Sequence, residues 1–125
     1  MGEVDHVGIV VSDAERSASF YVETLGYEVV EKNEDARLKA VYLKKGDQVV
    51  ELLEYLGSEK QQRRAGVIDH LAYRVDDLER VVSELREKGV EPLFDSPRLV
   101  FGGRKKIIFF VGPDGERLEL VQELG

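Results

Sequence analysis

The sequence predicts an α+β fold: two tandem βαβββ modules whose strands combine into a curved mixed sheet around a cleft. Two observations carry this. First, one pattern is written twice, because Asp5, His6, Asp13, Glu15 and Arg16 recur at Asp69, His70, Asp77, Glu79 and Arg80, each shifted by 64 positions. Gly26 recurs at Gly89 and Glu51 at Glu119, shifts of 63 and 68, so small insertions or deletions separate the copies. Second, each copy passes from strand-like alternation to helical spacing of apolar residues and back again, giving strand, helix, then several strands.

The elements follow in order. His6 to Val11 is a β-rich run that opens the first module. Ser12 with Glu15 three residues on reads as a capping box, after which Ala14, Ala18, Tyr21 and Leu25 fall on one helical face. Gly26 closes that helix, since glycine takes a positive φ without steric cost. Strands are expected at 28–31, 38–43 and 48–55, with turn chemistry at Lys45-Gly46-Asp47. In the second module His70 to Val75 is the first strand. Its helix starts near Asp76 and Glu79, turns Leu78, Val81, Val82 and Leu85 inward, and ends at Gly89. Strands are expected at 91–93, 106–111 and 117–122, the last two joined by a hairpin over Gly112-Pro113-Asp114-Gly115. The polar stretch 57–66 has no periodicity and reads as a linker. The chain is thus a single domain, 1–125, made of module 1–56, linker 57–66 and module 67–125. Each module is close to the size below which a lone core is marginal.

Composition narrows the function. Hydrophobic residues make up 42% of the 125 and charged residues 34%, with a formal net charge of −7. An acidic chain lacks the basic face that nucleic acid requires, and no apolar run reaches the roughly 20 residues of a membrane span. The start MGEVDHV carries no signal-peptide pattern, so a cytoplasmic location is expected. There is no cysteine, which removes disulfides, thiol nucleophiles and thiolate ligands. The basic clusters Arg63-Arg64 and Arg104-Lys105-Lys106 read as solvated surface.

The two histidines of the chain both follow an aspartate at the head of a strand. Each module also places one glutamate inside an apolar run: Glu51 in VVELL and Glu119 in RLELV. A carboxylate in such a run is costly unless paired, protonated, solvated in a cleft or coordinating a cation. One histidine and one glutamate at equivalent positions of two repeats lead to a shared divalent-metal site of His6, Glu51, His70 and Glu119. Two imidazoles and two carboxylates without sulfur suit a borderline or harder divalent ion such as nickel, cobalt, manganese, iron or zinc. Two open coordination positions would accept vicinal oxygens of a small-molecule substrate. Glu119 or Glu51 would then move the proton at the adjacent carbon, through a metal-chelated enediolate. Arg74, Arg98, Arg104 and Lys105 are candidates for an anionic substrate tail.

At this point the chain resembles the vicinal oxygen chelate superfamily (glyoxalases, bleomycin-resistance proteins and dioxygenases). The resemblance rests on DHVGIVVSDAERSASFYVETLGYEVV, VVELLEYLG, DHLAYRVDDLERVVSELREKGV and GGRKKIIFFVGPDGERLELVQE, which together span essentially the whole chain. It implies the glyoxalase fold, a homodimer, and metal ligation by His6, Glu51, His70 and Glu119. The leading expectation is a metal-dependent lyase or isomerase of the lactoylglutathione lyase (glyoxalase I) type, acting on a glutathione hemithioacetal. The alternatives are a methylmalonyl-CoA epimerase-like racemase acting on a CoA thioester, and a non-catalytic small-molecule binder of the same fold. Val10 stands where the first strand of glyoxalase I carries an arginine that contacts glutathione, and Arg74 holds the equivalent place in the second module.

Overall fold

The computed structural model describes residues 2–61, 64–113 and 115–125. It divides into two compact units, one of His6–Asp69 and one of Met1–Asp5 with His70–Gly125. The expected tandem βαβββ architecture is present, one copy in each unit.

In the first unit, β1 (Val4–Val10) contributes from His6 onward, followed by α1 (Ala14–Leu25), β2 (Glu28–Glu34), β3 (Leu38–Lys45) and β4 (Gln48–Tyr55). The strands lie in the order β2-β3-β4-β1. β1 runs parallel to β4, and the other neighbours are antiparallel. Side-chain alternation gives the sheet two chemically different faces. Val41, Leu43 and Leu52 pack with Ala14 and Ala18 of α1, joined by Ile9, Val11, Tyr21 and Val50. The small alanines let the helix approach closely. The opposite face carries Val10, Ala40, Leu53 and Tyr55 in a second cluster, together with His6 and Glu51. The expected linker begins as a short 3-10 helix, Gly57–Gln61. The rest of that linker and the Arg63-Arg64 pair include Gln62 and Arg63, which lie outside the described residues.

The second unit repeats the plan with β5 (Ile68–Arg74, contributing from His70), α2 (Leu78–Glu87), β6 (Arg98–Val100), β7 (Lys105–Val111) and β8 (Arg117–Glu123). Its order is β5-β8-β7-β6, with β5 parallel to β8. Leu78 and Val82 of α2 pack on Val75, Ile108, Phe110 and Leu120. His70 and Glu119 belong to the other parity and point away from that helix-covered face.

Both helices start one residue later than their capping patterns suggested. The N-caps are Asp13 and Asp77, each in extended conformation, and each accepts from the amide three residues on, Arg16 and Arg80 respectively. At α1 the Asp13 carboxylate is a stronger acceptor for the orphan amide than the Ser12 hydroxyl. A further cap comes from the sheet. Glu54 Oε1 accepts from Ala14 N at 2.9 Å, and Gln122 Oε1 accepts from Leu78 N at 3.0 Å. Gly26 closes α1 at φ 80°, as expected.

The strand expected at 91–93 does not form, and the short β6 lies further on. Pro92 and Pro97 lack the N–H a ladder needs, although Leu93 N still donates to Phe109 O at 2.7 Å. The hairpin expected over Gly112–Gly115 includes Asp114, outside the described residues. No helix among the described residues is long and apolar enough to cross a membrane.

Candidate metal centre

In the first unit, His6 Nε2 lies 3.2 Å from Glu51 Oε1. The strand register makes this meeting possible. Glu51 stands beside Gly8 across the parallel β1–β4 pair, so the small residue two positions after His6 leaves room next to the carboxylate. On its other side Glu51 faces Tyr42 of β3, whose ring stands edge-on to His6 at 5.3 Å between centroids. Tyr42 thereby fixes the imidazole plane and screens it from water. His6 is 1% exposed and Glu51 3%.

The second unit builds the same arrangement. His70 Nε2 lies 3.3 Å from Glu119 Oε1. Glu119 stands beside Ala72 on β5 and faces Phe109 on β7, and Phe109 meets His70 edge-on at 5.6 Å. His70 and Glu119 are 5% and 6% exposed. Gly8 and Ala72, Tyr42 and Phe109, Glu51 and Glu119 are thus equivalent pairs. The length differences between the copies leave the register at the histidines and glutamates intact.

The donors fit a divalent cation. Within each unit one imidazole nitrogen and one carboxylate oxygen meet in a buried setting, the nitrogen–oxygen donor chemistry of borderline metals. His6, Glu51 and His70 are buried residues of a kind that could hold a metal ion.

The cationic candidates have separate fates. Arg74 is half-exposed, with Nε 3.7 Å from Asp5 Oδ1 and one terminal nitrogen 4.0 Å from Glu3. It borders a hollow with Gly2, Asp76, Asp77 and Arg80, so acidic side chains surround it. Lys105, read from the sequence as surface, is buried: its Nζ lies 3.7 Å from Glu123 and 5.6 Å from the centre of the Phe101 ring. The turn preceding it explains this, because Phe101, Gly102 and Gly103 all have positive φ and swing the strand start inward. Arg104 lies in that same turn and is exposed. Arg98 stacks on Phe94, its guanidinium carbon 3.5 Å from the ring centroid.

Three participants escaped the sequence reading. Tyr42 and Phe109 carry no mark of their own in the sequence, and their equivalence emerges only from the strand pairing opposite each glutamate. Arg117, on the same face of β8 as Glu119, stacks on Phe109 at 4.4 Å.

Fold and donor set together define a vicinal-oxygen-chelate protein, and the chain belongs to the Glyoxalase/Bleomycin resistance protein/Dioxygenase superfamily, whose model matches residues 3–120. The Bacillus subtilis protein YwkD is 34% identical over 96% of each chain. The mitochondrial methylmalonyl-CoA epimerase of mouse is 30% identical over 90% of this chain and 67% of its own. A probable lactoylglutathione lyase of Vibrio cholerae is 29% identical over 94% of this chain and 88% of its own. Among solved structures, methylmalonyl-CoA epimerase from Mycobacterium tuberculosis superposes with a TM-score of 0.86 at 25% identity, covering 98% of this chain and 89% of its own. An epimerase in complex with methylmalonyl-CoA and ammonium gives 0.87 at 26% identity, covering 100% of this chain and 96% of its own. These likenesses reverse the expected order of activities. They favour the epimerase alternative over the lactoylglutathione lyase reading.

Proposed function

We propose that this protein is a metal-dependent racemase of the methylmalonyl-CoA epimerase type, inverting the acidic carbon of a 2-carboxyacyl-CoA thioester. In this reading His6, Glu51, His70 and Glu119 hold one divalent cation, nickel or cobalt by preference. The observation that carries it is the duplicated buried His–Glu pair, set in equivalent registers, in a chain similar to epimerases along nearly its whole length.

When bound, the ion would supply Lewis-acid stabilisation of charge at the thioester carbonyl oxygen. The chain's own residues supply the proton chemistry. Inversion requires a base on one side of the carbon and an acid on the other, and Glu51 and Glu119 provide two carboxylates from equivalent positions. One carboxylate oxygen takes the proton from the α-carbon, and the other carboxyl returns a proton to the opposite side. His6 and His70 hold the two carboxylates in place, and Tyr42 and Phe109 exclude water around them.

The test follows α-proton exchange of methylmalonyl-CoA in deuterium oxide with metal-loaded protein, beside turnover of methylglyoxal plus glutathione. Exchange with the CoA thioester is expected. Turnover of the hemithioacetal alone would move the assignment to the lyase, the second reading, which the Vibrio relative supports. Loss of both, with tight ligand binding unchanged in a His6→Ala, His70→Ala double variant, would leave a non-catalytic binder.

A further inference from the structure

Phe109 does more than screen His70. Its ring also meets Phe94 edge-on at 5.9 Å, so an aromatic ledge runs from the imidazole to the loop before β6. Two guanidiniums lie on this ledge, Arg117 over Phe109 and Arg98 over Phe94. Arg98 stands opposite Ile107 across the β6–β7 pair, and Ile107 shares its parity with Phe109. Arg117 precedes Glu119 by two residues on β8. Both arginines therefore rise from the face of the sheet that carries His70 and Glu119.

A guanidinium stacked on a ring spends its flat face there and directs its N–H rim sideways, the geometry that recognises a carboxylate or phosphate in bidentate fashion. Cation–π contact also removes part of the entropic cost of ordering a long side chain. In a chain of net charge −7, two guanidiniums held on one aromatic ledge bring positive charge to the sheet face that carries Glu119, where an anionic substrate would lie.

We propose that Arg98 and Arg117 are specificity-determining residues that bind an anionic oxygen group of the substrate beside the His70–Glu119 pair. The inference rests on the racemase reading for the identity of the substrate. The anionic group is either the carboxylate next to the reacting carbon or a phosphate of the CoA tail. Three probes separate these sources: methylmalonyl-CoA, propionyl-CoA, which lacks the carboxylate, and the methylmalonyl thioester of N-acetylcysteamine, which lacks the phosphates.

Calorimetric titration of the metal-loaded protein reads binding without requiring turnover. Arg98→Ala and Arg117→Ala are each expected to weaken methylmalonyl-CoA by about ten- to a hundredfold, the scale of a charge-assisted hydrogen bond. Arg98→Lys, which keeps the charge but loses the planar fork, should recover only part of the loss. A loss shared by the two carboxylated probes and absent for propionyl-CoA identifies the carboxylate. A loss shared by the two CoA probes and absent for the short thioester identifies phosphate. Affinities within twofold of wild type for all three probes, or no binding of any probe by the wild type, would overturn the proposal. Arginine-dependent binding without α-proton exchange in the wild type would sink the racemase reading instead and leave this one standing. Unchanged thermal unfolding of the variants separates lost recognition from lost fold.

Discussion

His6 and His70 each touch a carboxylate through Nε2, and each is held edge-on by an aromatic residue of the neighbouring strand. A glutamate in this position has two separable capacities, an oxygen donor and a proton acceptor, and glutamine keeps only the first. Glu51→Gln is therefore expected to retain the metal while α-proton exchange from one enantiomer falls by about a hundredfold or more. Glu119→Gln should do the same for the other enantiomer, read by proton NMR in deuterium oxide from each enantiomer separately. Equal losses from both enantiomers in both variants would refute the division of roles. The burial of these four residues was legible from the sequence, because a charge in an apolar run, repeated at a matching position, has few physical explanations. Tyr42 and Phe109 were not legible, since an aromatic residue in a strand says core until its cross-strand partner is known.

At the scale of elements, the strand that carries each glutamate also caps a helix. Glu54 and Gln122 sit three residues beyond Glu51 and Glu119 and accept from the first amides of α1 and α2. The opposite parity of these residues sends one side chain to the face of the His–Glu pair and the other to the helix face. Glu54→Ala or Gln122→Ala should each cost about 1 kcal/mol of stability by urea unfolding, the usual value of a lost helix cap. Sequence reading located both helices but put each N-cap one residue early, and it missed the second caps, because Glu54 and Gln122 act across forty residues and no local motif records them. It also placed a strand at 91–93, where periodicity outweighed two prolines. The first turn of α2 is tied down a second time. Lys106 Nζ lies 2.7 Å from Glu79, and this hydrogen-bonded ammonium holds the Glu79 carboxyl below the usual glutamate range. A lowered folded-state value means that the contact stabilises above the ordinary carboxylate range and is lost as pH falls through the folded value. Both groups are well solvated, so the effect is small. Lys106→Ala should remove this small component from the acid-side fall in Tm below pH 5 and leave the remainder intact.

For the whole molecule, the proposed ligand set makes folding and metal binding one equilibrium. An ion that binds the native chain and not the unfolded one stabilises it by about 2.7 kcal/mol at a hundredfold excess over its Kd. Thermal unfolding after chelation and after adding back nickel or cobalt should therefore differ by several degrees in the wild type. The difference should vanish in a His6→Ala, His70→Ala double variant. An unchanged Tm in the wild type would contradict a metal shared by these residues. The repeat made the architecture readable at this scale, since two copies of one pattern constrain the topology far more than one copy does. Substrate identity was not readable in the same way, because it depends on the residues in which the copies differ.

The unlike neighbours of the two His–Glu pairs have a consequence of their own. Where the second copy has Phe109 and Arg117, the first has Tyr42 and Val49. A chain doubled without divergence would offer a substrate two interchangeable ways to lie, and would be blind to which end was which. In the proposed site, keeping the ligand candidates alike while letting their surroundings drift breaks that degeneracy. Such a site gains a sense of direction: its chemistry is symmetric, and its grip is not.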